Sequence, residues 1–275
     1  TGDTIHIEPS GSYGSLSMTK QLVIIGTGDY ITQNPGYQQS PLVGSIDNLY
    51  CYAGSENSVI RCKVDFLLFF VDNVIVENSS INRVMIGNNP SITISNTVFK
   101  RCRINEFYGG GGYFWFTGNT SPWNSLLLSN CYIEYLYNSN PSANSALMNN
   151  CVFNGVNDAI EGSFINRCIF INGVSATNCL GDDNISAGGF GNGITGSNNL
   201  TSVDMSTVFQ NWNNFNGDNY QLLPSYHNQN IGMYGGTSPY NPACTPSVPS
   251  IYQLSIPNNM SGTTLPITVS TKSNN

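Results

Sequence analysis

The sequence predicts an all-β fold, a single-stranded right-handed parallel β-helix in which coils of about 17 to 20 residues stack into a solenoid. Three observations predict it. Only 9% of the 275 residues are charged, and Asn, Ser, Thr, Gly and Tyr take their place, a composition that disfavours helix. A short pattern recurs along the chain at a nearly constant interval. Within each copy the alternation of apolar and polar residues also shifts by one residue at a fixed position. A straight strand cannot do this, because its side chains alternate strictly between two faces.

The repeat is centred on an Asn or Arg, which we number position zero. Large apolar residues stand at −2 and +3, and a small residue stands at +1. Six copies have their zero positions at Arg61, Asn78, Asn96, Asn130, Asn150 and Arg167. A sharp bend at position zero explains the change of phase, because Asn tolerates the left-handed conformation. We therefore predict that Asn78, Asn96, Asn130 and Asn150 form a structural ladder along the stack, in preference to a ligand-binding role.

The sequence is predicted to consist of a β-helix over residues 1–240 and a C-terminal extension over residues 241–275. Segments 2–7 and 22–26 read as the first strands of the stack. Residues 241–250 are rich in Pro, and two strands are predicted at 251–256 and 265–269. Because so short a segment cannot bury a core of its own, we expect the two-strand extension to pack along the flank of the helix.

A family resemblance rests on these segments. The Gly-Asp-Thr-Ile start at 2–5, the Leu-Val-Ile-Ile-Gly strand at 22–26 and the coils with an Asn ladder resemble pectin-lyase-like right-handed parallel β-helix proteins. Residues 220–236 are similar to the last coil of secreted bacterial members. The resemblance implies an exported protein, secreted or held at the cell surface, and concerns architecture rather than activity. Since Thr1 to Thr4 show no basic or apolar leader, we expect the signal peptide to be absent from this sequence.

Net charge and hydropathy narrow the class of partner. The net charge is −7, with nine Lys and Arg residues in the whole chain, which argues against a nucleic-acid partner. No stretch approaches the roughly 18 consecutive apolar residues of a membrane span. We expect a monomer whose partner is a polysaccharide or a cell-surface glycan.

Aromatic residues concentrate in an interval of 34 residues between Asn96 and Asn130. This interval predicts one ordinary coil plus two loops, at 106–112 and 117–124, and long loops on a rigid scaffold commonly carry function. Candidate ligand-binding residues are Tyr108, Tyr113, Trp115 and Trp123, because aromatic rings offer flat apolar area beside polar groups. The alternative is that half of these rings cover the core.

Candidate catalytic residues are few. β-Helix polysaccharide lyases need a basic residue, commonly with Ca²⁺ held by acidic residues. Arg83 and Arg101 both take position +5 on the predicted coils, and Glu106 and Glu134 are close by. These four residues are the catalytic candidates. The alternative is a solvated face on which Lys100 pairs with Glu134.

The remaining motifs predict neither a zinc site nor a redox centre. Gly181-Asp182-Asp183-Asn184 resembles the Gly-Asp-Asp-Cys segment of polygalacturonases, but the Gly-His-Gly and Arg-Ile-Lys segments of that family are absent. A turn or a Ca²⁺ contact at Asp182 and Asp183 is the favoured interpretation. No Cys-x-x-Cys pair is present and the two histidines are isolated, so zinc is not predicted. We interpret the cysteines as buried thiols and predict no cofactor, with Ca²⁺ left open.

Two functions remain open from the sequence. The first is non-catalytic binding or adhesion to glycans through the aromatic loop region. The second is a carbohydrate-active enzyme, a polysaccharide lyase or a glycoside hydrolase, acting in a groove on the β-helix. The first is favoured, because charged residues are scarce and no known catalytic constellation is complete.

Overall fold

The structure is a computed structural model that describes residues 2–29, 42–87, 93–109, 112–113, 116–119, 123–138, 145–157, 159–191, 193–212, 220–245, 249–257 and 263–272. Within these residues the chain forms stacked parallel strands, and the predicted all-β helical solenoid is confirmed. Among the same residues, no helix has the length and apolar character needed to cross a membrane.

Two parallel sheets carry the stack, and the chain alternates between them along most of its length. The first sheet consists, from top to bottom, of Asp3–His6, Leu22–Ile25, Val59–Arg61, Ile75–Glu77, Val98–Lys100, Leu126–Ser129, Ala146–Asn149, Phe164–Asn166, Cys179–Leu180 and Ile194–Thr195. The second sheet consists of Ser15–Met18, Ser45–Cys51, Lys63–Phe69, Ser80–Ile86, Arg103–Gly109, Tyr132–Asn138, Val152–Asn157, Ile169–Phe170 and Ile185–Ser186.

Shorter elements complete the described chain. Two parallel pairs lie between the main sheets, Ile94–Ser95 with Trp123–Asn124 and Ala159–Glu161 with Ser175–Thr177. Two antiparallel pairs are Gly112–Tyr113 with Phe116–Asn119, and Ser250–Ser255 with Thr268–Lys272. The 3₁₀ helices are Met205–Thr207 and Pro224–Gln229.

The parallel register places equivalent side chains in vertical files. In the first sheet, Val76 pairs with Phe99 and Phe99 with Leu128, and all three side chains are fully buried. These files form one continuous core inside the solenoid. A single coil could not offset the conformational entropy of its residues, so the stacking of coils is what stabilises the fold.

Two corners flank each strand of the first sheet, and both contain residues in the left-handed conformation. One corner follows the C-terminal end of each of these strands and runs along the stack; we call it the lower corner. It includes Asn78, Arg101, Asn130, Asn150, Arg167, Asp183 and Asn198. The corner before the first sheet includes Asn57, Asn73, Asn96 and Ser125. The prediction of bends with a left-handed backbone is confirmed, because φ lies near +50° at every one of the predicted Asn positions.

The predicted Asn ladder is wrong in register. Asn96 lies at the other corner, and Arg101 occupies its expected place beside Asn78 and Asn130. The side-chain amides of Asn130 and Asn150 do not bond along the stack; they donate to backbone carbonyls of Met233 and Asn230. One pair of side-chain amides does bond along the stack, one residue after the lower corner, where the buried Asn184 donates from Nδ2 to Oδ1 of the partly buried Asn199 over 2.9 Å.

The interval of 34 residues holds one turn of the solenoid with an insertion, as predicted. Ile94 pairs directly with Trp123, so Asn96 and Ser125 lie on neighbouring coils. Part of the excess length arises because Asn96 and Asn130 stand at different corners. The inserted residues include the antiparallel pair Gly112–Tyr113 with Phe116–Asn119, whereas the predicted loop at 106–112 begins within the strand Arg103–Gly109.

The cysteines form no disulfides, and all eight thiols are buried, as the sequence predicted. Cys102, Cys131, Cys151 and Cys168 occupy the small inward position that follows the lower corner. Burial raises the pKa of Cys62 to about 12, so the reactive thiolate is scarce near neutral pH.

We expect none of the thiols in the folded protein to react with Ellman's reagent at about pH 8, because all eight are buried out of the reagent's reach. All eight cysteines should react after unfolding in guanidinium chloride. Absorbance of the released thionitrobenzoate measures both. A thiol that reacts rapidly in the folded protein would contradict the burial of the cysteine file.

The C-terminal part departs from the prediction. The last strand of the stack is Ile194–Thr195, whereas residues 220–236 do not form a coil. Phe209, Tyr220 and Met233 instead pack on the outside of the second sheet, against Tyr132 and Val152 among others, in a second hydrophobic cluster. Stacked parallel strands are therefore confined to a shorter segment than 1–240.

The predicted two-strand extension is present as Ser250–Ser255 paired with Thr268–Lys272. Its described apolar side chains are exposed, with Ile251 at 44% and Val269 at 50% of their full accessibility, so these side chains are not buried against the helix flank as predicted.

Candidate functional site

The second sheet presents a solvent-facing band that we call the outer strip. In each coil two consecutive residues face outward between two core residues. The outer strip comprises Asp47, Asn48, Asp65, Phe66, Asn82, Arg83, Asn105, Glu106, Glu134, Tyr135, Asn154 and Gly155. Because the strands are parallel and in register, these residues form two adjacent columns that run along the stack.

Amide and carboxylate groups form one column of the outer strip. Asn105 Nδ2 donates to Asn82 Oδ1 over 3.0 Å. One coil further on, Asn154 Nδ2 donates to Glu134 Oε1 over 2.6 Å. Each of these bonds links two neighbouring coils and holds the polar groups at the spacing of the strands, roughly 4.8 Å.

The second column contains an ion pair at its centre. Arg83 Nε donates to Glu106 Oε2 over 2.7 Å, and the Tyr108 hydroxyl donates to the same oxygen over 2.9 Å. The Arg83 and Glu106 side chains keep 33% and 28% of their accessibility. Both groups are therefore oriented by the protein and still reach solvent.

Tyr135 supplies an exposed aromatic ring below this ion pair. The residue is 40% exposed and follows Glu106 in the register of the sheet. Its ring lies against the backbone of Gly155 in the next coil, where a Cβ atom would come within 2.9 Å of Tyr135 Cδ1. The absence of a side chain at Gly155 therefore allows the Tyr135 ring to lie against the sheet.

The Glu134 oxygen that does not bond Asn154 is held by a second partner. The Tyr132 hydroxyl donates to Glu134 Oε2, and the Tyr220 hydroxyl donates to that of Tyr132 over 2.7 Å. Burial, with the neighbouring Tyr220 and Glu134, raises the pKa of Tyr132. The Tyr132 phenol therefore remains a proton donor to the carboxylate at any physiological pH.

The catalytic candidates from the sequence are only partly brought together. Arg83, Glu106 and Glu134 all lie on the outer strip. Arg101 does not, because it stands at the lower corner with its guanidinium 3.6 Å from Glu77. The alternative pairing of Lys100 with Glu134 is wrong, since Lys100 belongs to the first sheet beside Glu77 and Ser129.

The aromatic loop prediction is not supported by the described residues. Trp123 is 2% exposed and packs edge-on against Phe107 in the core, so its ring is not available to a ligand. Tyr108 is 5% exposed and stacks on Tyr137 with ring centroids 4.6 Å apart. The side chains of Tyr113 and Trp115 lie outside the described residues.

Asp182 and Asp183, the predicted calcium contacts, bind groups of the chain itself. Asp182 accepts the Ser197 backbone N–H over 2.6 Å, and Asp183 accepts the Asn198 amide over 2.9 Å. In the part of the chain that the structure describes, no three His, Cys, Asp or Glu side chains are grouped as a metal site would need.

The fold and the outer strip define a parallel β-helix protein with a polar and aromatic band along one face. Comparisons of the chain with known protein families, with curated proteins and with solved structures find no match.

Proposed function

We propose that this protein binds neutral glycans along the outer strip, without catalysing their cleavage. The observation that carries the proposal is the exposed ring of Tyr135 on Gly155, flanked by the carboxylates of Glu106 and Glu134. A sugar ring presents an apolar C–H face and a rim of hydroxyls. An aromatic ring beside oriented acceptors and amides matches both.

The charge of the outer strip supports a neutral ligand. Its ionisable residues are Asp47, Asp65, Glu106 and Glu134 against Arg83, so carboxylates outnumber cations. Polyanionic glycans would be repelled by this surface. Hydroxyl groups, in contrast, can donate to the carboxylates and accept from Arg83 and the amides.

The geometry of the outer strip favours an extended chain. The strip has no closed walls and repeats its polar groups once per coil. A linear glycan that lies along the stack would meet one row of these groups after another. Many weak contacts of this kind can together give strong multivalent binding, as adhesion requires. We also propose that the protein is exported, as the resemblance to secreted bacterial pectin-lyase-like proteins implies.

The test is a glycan array followed by calorimetric titration of the best neutral oligosaccharide. We expect Tyr135→Ala to weaken binding by about 30-fold, because loss of a central aromatic anchor typically costs about 2 kcal/mol or more. The matched control is Phe164→Ala, which removes a ring that is 53% exposed on the first sheet and should leave binding unchanged. Equal affinity of Tyr135→Ala and the wild type would contradict the proposal.

A carbohydrate-active enzyme is the second candidate, favoured by the position of Glu106 and Glu134 on successive coils. Two carboxylates can act as acid and base on a glycosidic bond. The same oligosaccharide incubations, assayed for new reducing ends or unsaturated products, separate the two functions. We expect no products from the wild type. If the wild type forms products and Glu134→Gln does not, the protein is an enzyme rather than a non-catalytic binder.

A further inference from the structure

A cavity of about 440 Å³ opens near the foot of the stack. One wall is the lower corner, with Arg167, Asp183 and Asn198 on successive coils. The other wall is the C-terminal segment at Gln229 and Asn230. Both walls are fixed by backbone hydrogen bonds, since Arg167 N–H donates to Asp182 O over 2.9 Å and Gly232 N–H donates to Arg167 O over 2.8 Å.

The charged side chains of this cavity contact each other but can still form hydrogen bonds to a ligand. Arg167 Nε stands 3.7 Å from Asp183 Oδ2, which is longer than a hydrogen bond. Their side chains retain 47% and 34% of their accessibility. Asp183 also accepts the side-chain amide of Asn198 over 2.9 Å. A guanidinium has five N–H donors and a carboxylate has about four acceptor positions, so these contacts leave donors and acceptors that a ligand can use.

The cavity also has an apolar surface formed by Ile185, Leu200 and Ile231. Ile185 and Ile231 are buried and therefore fixed in place, whereas Leu200 is 47% exposed. Aliphatic side chains together with a cation, an anion and three amides suit a ligand with one apolar face and several hydroxyl groups.

We propose that this cavity binds a single neutral sugar residue, whose hydroxyls donate to Asp183 and accept from Arg167 and Asn198. The volume lies at the small end of the roughly 300–1,000 Å³ typical of ligand sites. One positive and one negative side chain make the cavity neutral, and an anionic ligand would meet the Asp183 carboxylate. The site is separate from the outer strip and does not depend on the function proposed for it.

The backbone at these positions allows variants that fold. Arg167 and Asp183 have φ of 55° and 58°, a conformation that Asn adopts more readily than Arg does. Asn already occupies the equivalent position at Asn130 and Asn150. Arg167→Asn and Asp183→Asn should therefore remove a charge each without lowering the thermal unfolding temperature.

The experiment is saturation-transfer NMR of the full chain with glucose, galactose, mannose, N-acetylglucosamine and, as an acidic probe, glucuronate. We expect saturable binding of at least one neutral sugar to the wild type and to Tyr135→Ala. In Arg167→Asn and Asp183→Asn the affinity should fall at least about tenfold, as expected when hydrogen bonds to charged groups are lost.

Three outcomes would overturn this site. The first is that no neutral sugar binds the wild type. The second is that glucuronate alone binds. The third is that binding survives both Asn variants but is lost in Tyr135→Ala, which would assign the signal to the outer strip. A failure of Tyr135→Ala to affect oligosaccharide binding, in contrast, bears only on the function proposed for the strip.

Discussion

Replacing Phe99 with Ala is expected to lower the free energy of unfolding by about 3–5 kcal/mol. Phe99 is fully buried and makes edge contacts with Phe69 and Phe107, whose ring centroids lie 5.9 and 5.2 Å away. The void cannot collapse easily, because the backbone hydrogen bonds fix the distance between coils. Urea-induced unfolding followed by circular dichroism measures the loss.

The matched control for this prediction is Phe164→Ala in the same sheet. Phe164 belongs to the outward file next to that of Phe99, and its ring is 53% exposed. Truncation of an exposed side chain away from special contacts usually changes stability by no more than about 0.5 kcal/mol. Similar losses in the two variants would mean that Phe99 does not face the interior of a solenoid.

The fold could be predicted because a parallel stack repeats its inward pattern. The repeat places Val76, Ile94 and Leu128 at the same inward position of successive coils. The structure confirms Val76 and Leu128 in one file, but Phe99 rather than Ile94 lies between them. The third copy was misassigned because both corners produce the same local pattern. Asn96 before Thr97 and Arg101 before Cys102 each place a left-handed residue before a small inward one, and only pairing between strands separates the corners.

The outer strip was within reach of the sequence. In the copies at Asn78 and Asn130 an apolar residue stands at +3 and another at +6, which is Val84 or Leu136. The residues at +4 and +5 must therefore face outward, and these are Asn82 with Arg83 and Glu134 with Tyr135. Tyr135 was nevertheless missed, because the aromatic-rich insertion drew the interpretation toward Trp123. The burial of Trp123 depends on its pairing with Ile94, which no local pattern indicates.

The packing of the C-terminal segment on the outside of the second sheet could not be predicted in this way. Residues 203–245 do not repeat, so no periodicity marks which of their side chains are buried. Their contact surface is formed by Tyr132, Val152 and Ile169, which a solenoid pattern would place in solvent. Large apolar residues at an outward position of consecutive coils were the available signal for a covering segment.

Replacing Asn184 with Ala is expected to cost about 3 kcal/mol or more in the free energy of unfolding. Asn184 is fully buried. Its Oδ1 accepts the Cys168 N–H over 2.9 Å, and its Nδ2 donates to Ile165 O over 2.7 Å. Ala would leave both backbone groups without these partners inside the stack, and each buried unpaired group costs about 1–3 kcal/mol. Chemical denaturation monitored by circular dichroism gives the value.

Two further variants separate hydrogen bonding from packing at Asn184. Asn184→Ser should recover part of the loss, because Ser79 already accepts the Cys62 N–H and donates to Ile60 O at the equivalent place five coils above. Asn172→Ala removes an exposed amide that bonds to Asn154 and should change stability little. If Asn184→Ala lowered the free energy of unfolding no more than Asn172→Ala does, the Asn184 side chain would not be satisfying backbone groups in the core. An equal loss in Asn184→Ser and Asn184→Ala would instead assign the effect to lost volume, because only the serine hydroxyl can bond those groups.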